Sequence, residues 1–110
     1  MPYNLDLEQK IDRFTGLNWK FEKKKMFGGV GYMLNGNMAF GIHKQWLIIR
    51  TTVVQAEEMI KAGTAVVFDI TGRQMKGWLM ISADNLKTEK QLTDLLELGL
   101  TFAKTLQKKG

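Results

Sequence analysis

Two stretches hold most of the residues that could carry chemistry. Thr71–Met80, TGRQMKGWLM, sets a turn (Thr71-Gly72), two cations (Arg73, Lys76), a second glycine (Gly77) and Trp78 just ahead of an apolar run. Lys23–Phe40, KKKMFGGVGYMLNGNMAF, has the same texture of lysines, paired glycines, methionines and aromatics. Cations beside glycines suit an anionic partner, because a residue without a Cβ lets a ligand approach the backbone.

Catalytic sets are harder to assemble. The single histidine, His43, falls in an expected hairpin loop beside Lys44 with no orienting carboxylate near it, so it is not expected to act as a general base. No cysteine is present, which removes disulfides, thiolate nucleophiles and Cys-ligated metals. One histidine cannot build a His-rich metal site, and Asp69 with other carboxylates forms no recognisable oxygen-ligand pattern. The glycines of FGGVGYMLNG do not make a phosphate loop, since no Gly-Lys-Ser/Thr follows and the segment leads into a strand. No helix-turn-helix, zinc-finger or RNP-type pattern is visible. The expectation is a non-enzymatic domain with no cofactor and no metal.

Charge narrows the partner class. The formal net charge is +5, and the surplus lies between Lys20 and Arg50, where six cations (Lys20, Lys23, Lys24, Lys25, Lys44, Arg50) face one anion, Glu22. Such a patch attracts nucleic acid or an acidic protein; the plainer reading is a solvated, lysine-rich sheet edge that resists aggregation. Arg50 shares a strand face with Trp46 and Ile48 and is placed opposite Asn37, reaching the sheet rim or an internal carboxylate such as Asp69. Arg73 and Lys76 flank a turn, where cations are ordinarily solvated. The methionines fill a core or line an adaptable groove.

These residues need elements to position them. Asn4–Phe14 reads as a helix capped by Asn4, with Leu7, Ile11 and Phe14 on one stripe and Gly16 as a stop. Trp19–Met26 looks extended, with Lys23–Lys25 breaking the alternation as an edge strand or bulge would. Asn35-Gly36 is the clearest local signal, a two-residue type I′ hairpin turn. It pairs Leu34 with Asn37 and Met33 with Met38, and by extension Tyr32 with Ala39 and Gly31 with Phe40. Met33, Met38, Phe40 and Ile42 then share one face; Val30, Tyr32, Leu34 and Ala39 share the other. A third strand, Gln45–Thr51, follows a short turn at His43-Lys44, placing Leu47 opposite Phe40 and Ile48 opposite Ala39. Both faces of this sheet are apolar, so something must cover the second.

Thr52-x-x-Gln55 is a capping-box pattern opening a helix to about Ala62, closed by Gly63. Thr64–Ile70 and Met75–Ser82 read as strands. Thr88-x-x-Gln91 opens the longest helix, to about Lys108, with Leu92, Leu95, Leu96, Gly99, Phe102, Ala103 and Leu106 on its apolar side. Gly99 inside that stripe implies close approach of helix to sheet, since a mid-helix glycine otherwise costs about 1 kcal/mol against alanine. The order α-β-β-β-α-β-β-α describes one α+β domain over residues 1–110, an antiparallel five-stranded sheet with helices on one face. No apolar run approaches the roughly 20 residues of a membrane span, and no secretion signal is seen, so a cytoplasmic protein is expected.

KKMFGG (Lys24–Gly29), GNM (Gly36–Met38) and FDITGRQMKGW (Phe68–Trp78), in this order and spacing, resemble the N-terminal domain of the TfoX/Sxy family, named for a bacterial regulator of natural competence. The resemblance runs from the first helix to LGLTFAKTL. It implies a compact α+β domain similar to the secretion-chaperone-like and YjbR-like folds, and a role in competence and transcription regulation, which full-length regulators exercise with an additional helical C-terminal domain. It marks Lys24, Met26, Gly28, Gly29, Asn35, Gly36, Gly72, Arg73, Lys76, Gly77 and Trp78 as family-motif positions. Three functional readings follow. The first is an interaction domain meeting an acidic protein or nucleic acid through Lys23, Lys24, Lys25, Arg50, Arg73 and Lys76. The second is a homodimerisation scaffold built on the two-sided apolar sheet. The third is a domain that binds a small anion, or acts on one, through Arg50 and Arg73.

Overall fold

The computed structural model describes residues 4–18, 21–26, 29–68 and 76–106. Three helices, α1 (Leu5–Asn18), α2 (Val53–Lys61) and α3 (Glu89–Lys104), accompany six strands: β1 (Glu22–Met26), β2 (Gly29–Leu34), β3 (Asn37–His43), β4 (Trp46–Arg50), β5 (Val66–Val67) and β6 (Trp78–Ser82). The strands form one antiparallel sheet in the order β1-β2-β3-β4-β6-β5. The expected α+β class holds, with six strands instead of five. The lysine-rich segment, whose alternation is broken, still pairs along β2 from Glu22↔Met33 to Met26↔Gly29 and forms an edge strand of its own.

Helix ends follow side-chain chemistry. Asn4 Oδ1 accepts the Leu7 N–H at 2.9 Å and opens α1. The helix then runs past Gly16, the expected stop, because that glycine is exposed and nothing crowds it. Thr88 and Gln91 form the full reciprocal capping box of α3. At α2 only half of the box is made: Thr52 Oγ1 accepts the Gln55 N–H, while Gln55 Oε1 takes the Thr51 hydroxyl. Gly63, at φ +79°, closes α2, with Gly63 N–H donating to Ile60 O and Thr64 N–H to Met59 O, the paired bonds of a Schellman ending. α3 ends at Lys104 with Thr105 as its cap, earlier than the expected Lys108.

The hairpin turn is as expected at its tip. Asn35 and Gly36 both have positive φ (+54° and +82°), and Leu34↔Asn37 and Met33↔Met38 pair across it. Beyond Met38 the register shifts by one residue. Tyr32 pairs with Phe40 and Gly31 with Gly41, in place of Ala39 and Phe40. Ala39 is the extra residue of a β-bulge. A one-residue slip moves every later side chain to the opposite face. Phe40 and Ile42 therefore join Tyr32 and Val30, and separate from Met33 and Met38. The β3–β4 turn also sits one residue later, at Lys44-Gln45, with Lys44 at φ +54°. His43 closes β3 opposite Trp46, outside the loop, and Phe40 pairs with Ile49 instead of Leu47.

The bulge decides where the core sits. Val30, Tyr32, Phe40, Ile42, Leu47, Ile49, Leu79 and Ile81 share the face that packs with Leu7 and Ile11 of α1, Ala56 of α2 and Leu92, Leu96, Leu100 and Ala103 of α3. Phe40 lies at the centre, with ring centroids 6.1 Å from Phe14, 5.3 Å from Phe21 and 5.5 Å from Tyr32. α3 reaches the sheet through Gly99, where a Cβ would stand 2.5 Å from the Ala39 carbonyl oxygen. The opposite face carries Gly31, Met33, Met38, Gly41, Trp46, Ile48 and Met80, and is apolar as expected. Ile48 and Met80 on it are buried yet stand apart from the helix-side core.

Candidate functional site

The three lysines of β1 have different surroundings. Lys23 pairs across to Tyr32 and points to the helix side. Its ammonium reaches Glu8 Oε2 at 2.9 Å and Asp12 Oδ1 at 3.1 Å, one helical turn apart on α1, and lies 5.5 Å from the Tyr32 ring centroid. Tyr32 donates its hydroxyl proton to Asp12 Oδ1 at 2.7 Å. Burial opposes the charge on Lys23, but the bonds to Glu8 and Asp12 outweigh it and hold the ammonium pKa above its ordinary 10.5. Acids four residues apart on a helix (Glu8, Asp12) and a lysine on a strand are the only trace of this network in the chain itself; their meeting is a tertiary fact.

Lys24 and Lys25 are exposed. Among the described residues Lys24 makes only a loose ion pair, with the exposed Glu22 at 3.7 Å. It stands in one cross-strand row with Gly31 and Gly41, but both glycines are buried, so the expected basic glycine surface is reduced to the lysine. Met38 overlies Gly41, and a Cβ there would collide with the Met38 methyl.

Lys76 is exposed in the turn before β6. β6 lies four strands from β1 in the sheet order. At ~4.8 Å per strand the separation is about 19 Å, so Lys76 and the β1 lysines do not form one patch. Arg73, Gly72 and Gly28 lie outside the described residues, as do Trp19, Asp69 and the Thr71-Gly72 turn. Gly29 begins β2. Gly77, at φ +85°, brings its carbonyl to the Thr51 N–H at 2.7 Å, and a Cβ there would stand 2.8 Å from Thr51 O.

That contact fixes the pair Arg50↔Trp78. Arg50 is not opposite Asn37. Its guanidinium carbon lies 5.2 Å from the Trp78 ring centroid and 5.4 Å from that of Phe102 on α3, and Trp78 is backed by Phe68 at 5.6 Å. Among the described residues no carboxylate pairs with Arg50. The carboxylate expected for it, Asp69, lies outside the described residues; within them Arg50 meets two aromatic faces. The part played by Phe102 was not legible, since it read simply as one member of the apolar stripe of α3.

A groove of about 630 Å³ runs between α1 and α3, floored by Phe14, Leu96 and Leu100 and bridged by Arg13 and Glu89 at 3.6 Å. A recess of about 160 Å³ lies between α2 and Trp78, with Lys76 and Glu57 at its rim. No three His, Asp or Glu side chains converge among the described residues, and no described helix is long and apolar enough to cross a membrane.

Comparison with known proteins agrees with the sequence motifs. A search of curated proteins and of solved structures finds no significant match. The family model of the TfoX N-terminal domain matches residues 14–103, from the end of α1 through nearly all of α3 and including every strand. The chain belongs to the TfoX N-terminal domain family.

Proposed function

We propose that this domain is a non-enzymatic interaction module that meets an acidic protein segment along the exposed edge strand β1. The observation that carries the reading is the split among the β1 lysines. Lys23 is held by Glu8 and Asp12, while Lys24, paired with Gly31, and Lys25, paired with Val30, are exposed on the two sides of the edge strand. Nucleic acid is the weaker partner class. Six to ten phosphate contacts cost about 10³–10⁵ in affinity between 50 and 200 mM salt, whereas among the described residues the two exposed β1 lysines, with Lys76 about 19 Å away, supply far fewer. A role in competence or transcription would then run through protein contacts.

The test is fluorescence anisotropy with labelled poly-glutamate and with duplex DNA at low and moderate salt. Poly-glutamate should bind, and the double variant Lys24→Glu, Lys25→Glu should lose it. Equal binding by the variant, or none by the natural chain at low salt, refutes the reading. Tight DNA binding with a steep salt slope replaces it with the nucleic-acid version. The apolar face bearing Met33, Met38, Trp46, Ile48 and Met80 favours a second reading, a homodimer. A monomer by light scattering at high micromolar concentration removes it.

A further inference from the structure

The surroundings of Arg50 point to a ligand of a different size. A guanidinium has two flat faces and an edge of five N–H donors, and it accepts nothing. In this protein the guanidinium carbon lies over two rings, 5.2 Å from the Trp78 centroid and 5.4 Å from that of Phe102. Aromatic faces satisfy the charge of an arginine but take no in-plane hydrogen bond. The arginine is half-buried, and its position is fixed from three directions. The strand pair with Trp78 holds its backbone, the Thr51–Gly77 hydrogen bond closes the strand end, and Phe68 supports Trp78 from behind. Partial desolvation strengthens the attraction of such a fork for an oxyanion, and a fixed fork loses little entropy on binding one.

We propose that the edge of Arg50 is the seat of a small oxyanion, a carboxylate or a phosphate, gripped by paired N–H···O bonds while Trp78 and Phe102 wall the ligand. The seat is separate from the β1 surface, so it stands or falls independently of the acidic-partner reading. A packing role alone would need the charge and the stem, but not the fork.

The experiment follows the Arg50 Nε–H resonance of the full ¹⁵N-labelled chain, identified by its loss in Arg50→Lys. Sodium phosphate and sodium acetate are titrated separately, with sodium chloride at matched ionic strength as reference. A saturable shift with phosphate or acetate that chloride does not produce is the expected result, and the arm that saturates identifies the ligand chemistry. In Arg50→Lys that resonance is gone, so binding is followed there on the Trp78 indole N–H; a point charge without a fork should weaken it by about tenfold or more. Phe102→Leu keeps the arginine and removes one wall, and should weaken it several-fold; it serves as the deciding variant if Arg50→Lys does not fold. A shift that merely tracks ionic strength overturns the proposal. So does affinity left unchanged by Arg50→Lys or by Phe102→Leu.

Discussion

The two faces of the sheet are made from the same strands and the same kinds of residue, yet they are organised differently. On the helix side large side chains are fully enclosed: Tyr32, Phe40, Ile42, Leu47, Ile49 and Leu79 have almost no exposed surface. The other face pairs glycines with long, flexible side chains, Gly31 and Gly41 beside Met33 and Met38, and both methionines keep partial exposure. Branched and aromatic side chains in fixed rotamers specify one packing, whereas methionine adapts to what it meets. The difference teaches that the face packed on the helices and the face opposite are sorted by a single residue, Ala39, whose bulge turns Phe40 and Ile42 toward the helices.

Paired truncations on the two faces should test this comparison most severely. Phe40→Ala should cost about 3–5 kcal/mol in urea unfolding. Met38→Ala, half-buried on the other side, should cost under about 2 kcal/mol. Equal losses would mean that the two faces are equally tightly packed.

The same substitution at two helical glycines sharpens the contrast with opposite signs. Gly16 in α1 has nothing within 4 Å of an added Cβ, so Gly16→Ala should stabilise by up to about 1 kcal/mol. At Gly99 the new methyl group meets the backbone carbonyl of Ala39 at 2.5 Å, and backbone cannot step aside as a side-chain end can. Overpacking of about 1–3 kcal/mol there outweighs the helix-propensity gain of about 1 kcal/mol at the upper end of that range, so Gly99→Ala should destabilise. Stabilisation at both sites would show that α3 does not approach the sheet closely.

These particular residues also show how far the sequence could be read. Asn35-Gly36, Gly63, Thr88–Gln91 and the Leu7/Ile11/Phe14 stripe act within a few residues of chain, and each local rule matches the observed structure. The Gly99 expectation held because a glycine inside an apolar helical stripe weakens the helix, and close approach to the sheet is what offsets that cost. The bulge at Ala39 was not legible. Alternation extends through VGYMLNGNMAFGI in either register, and the choice is made by Phe14, Phe21 and α3, which are remote in sequence. Gly16 misled because glycine ends a helix only where the chain must turn there. The candidate site divided in the same way. That Lys24 and Lys25 are exposed cations on an edge strand was legible from the broken alternation, whereas the capture of Lys23 by α1 and the enclosure of Arg50 by Phe102 depend on how distant elements meet.

The smallest expected effect lies at the border between the faces, in the Lys23 network. Burial opposes the Lys23 charge, yet the carboxylates of Glu8 and Asp12 hold the ammonium pKa above 10.5. A raised pKa in the folded state means that folding favours the charged form. The contribution is therefore fully present below about pH 10.5, the unfolded value, and is lost as pH climbs through the higher folded value. Because the lysine is 41% exposed and screened by solvent, its contribution should stay within about 1 kcal/mol. Lys23→Met keeps much of the apolar stem and removes the charge. Urea midpoints for both chains, measured from neutral pH to beyond pH 11, should differ by a constant amount until about pH 10.5 and then converge. Other lysines and tyrosines titrate in both chains, so the difference curve isolates position 23. A difference that persisted unchanged through that alkaline range would mean that Lys23 contributes through its stem alone. Lys23 would then be free to join Lys24 and Lys25 in meeting an acidic partner.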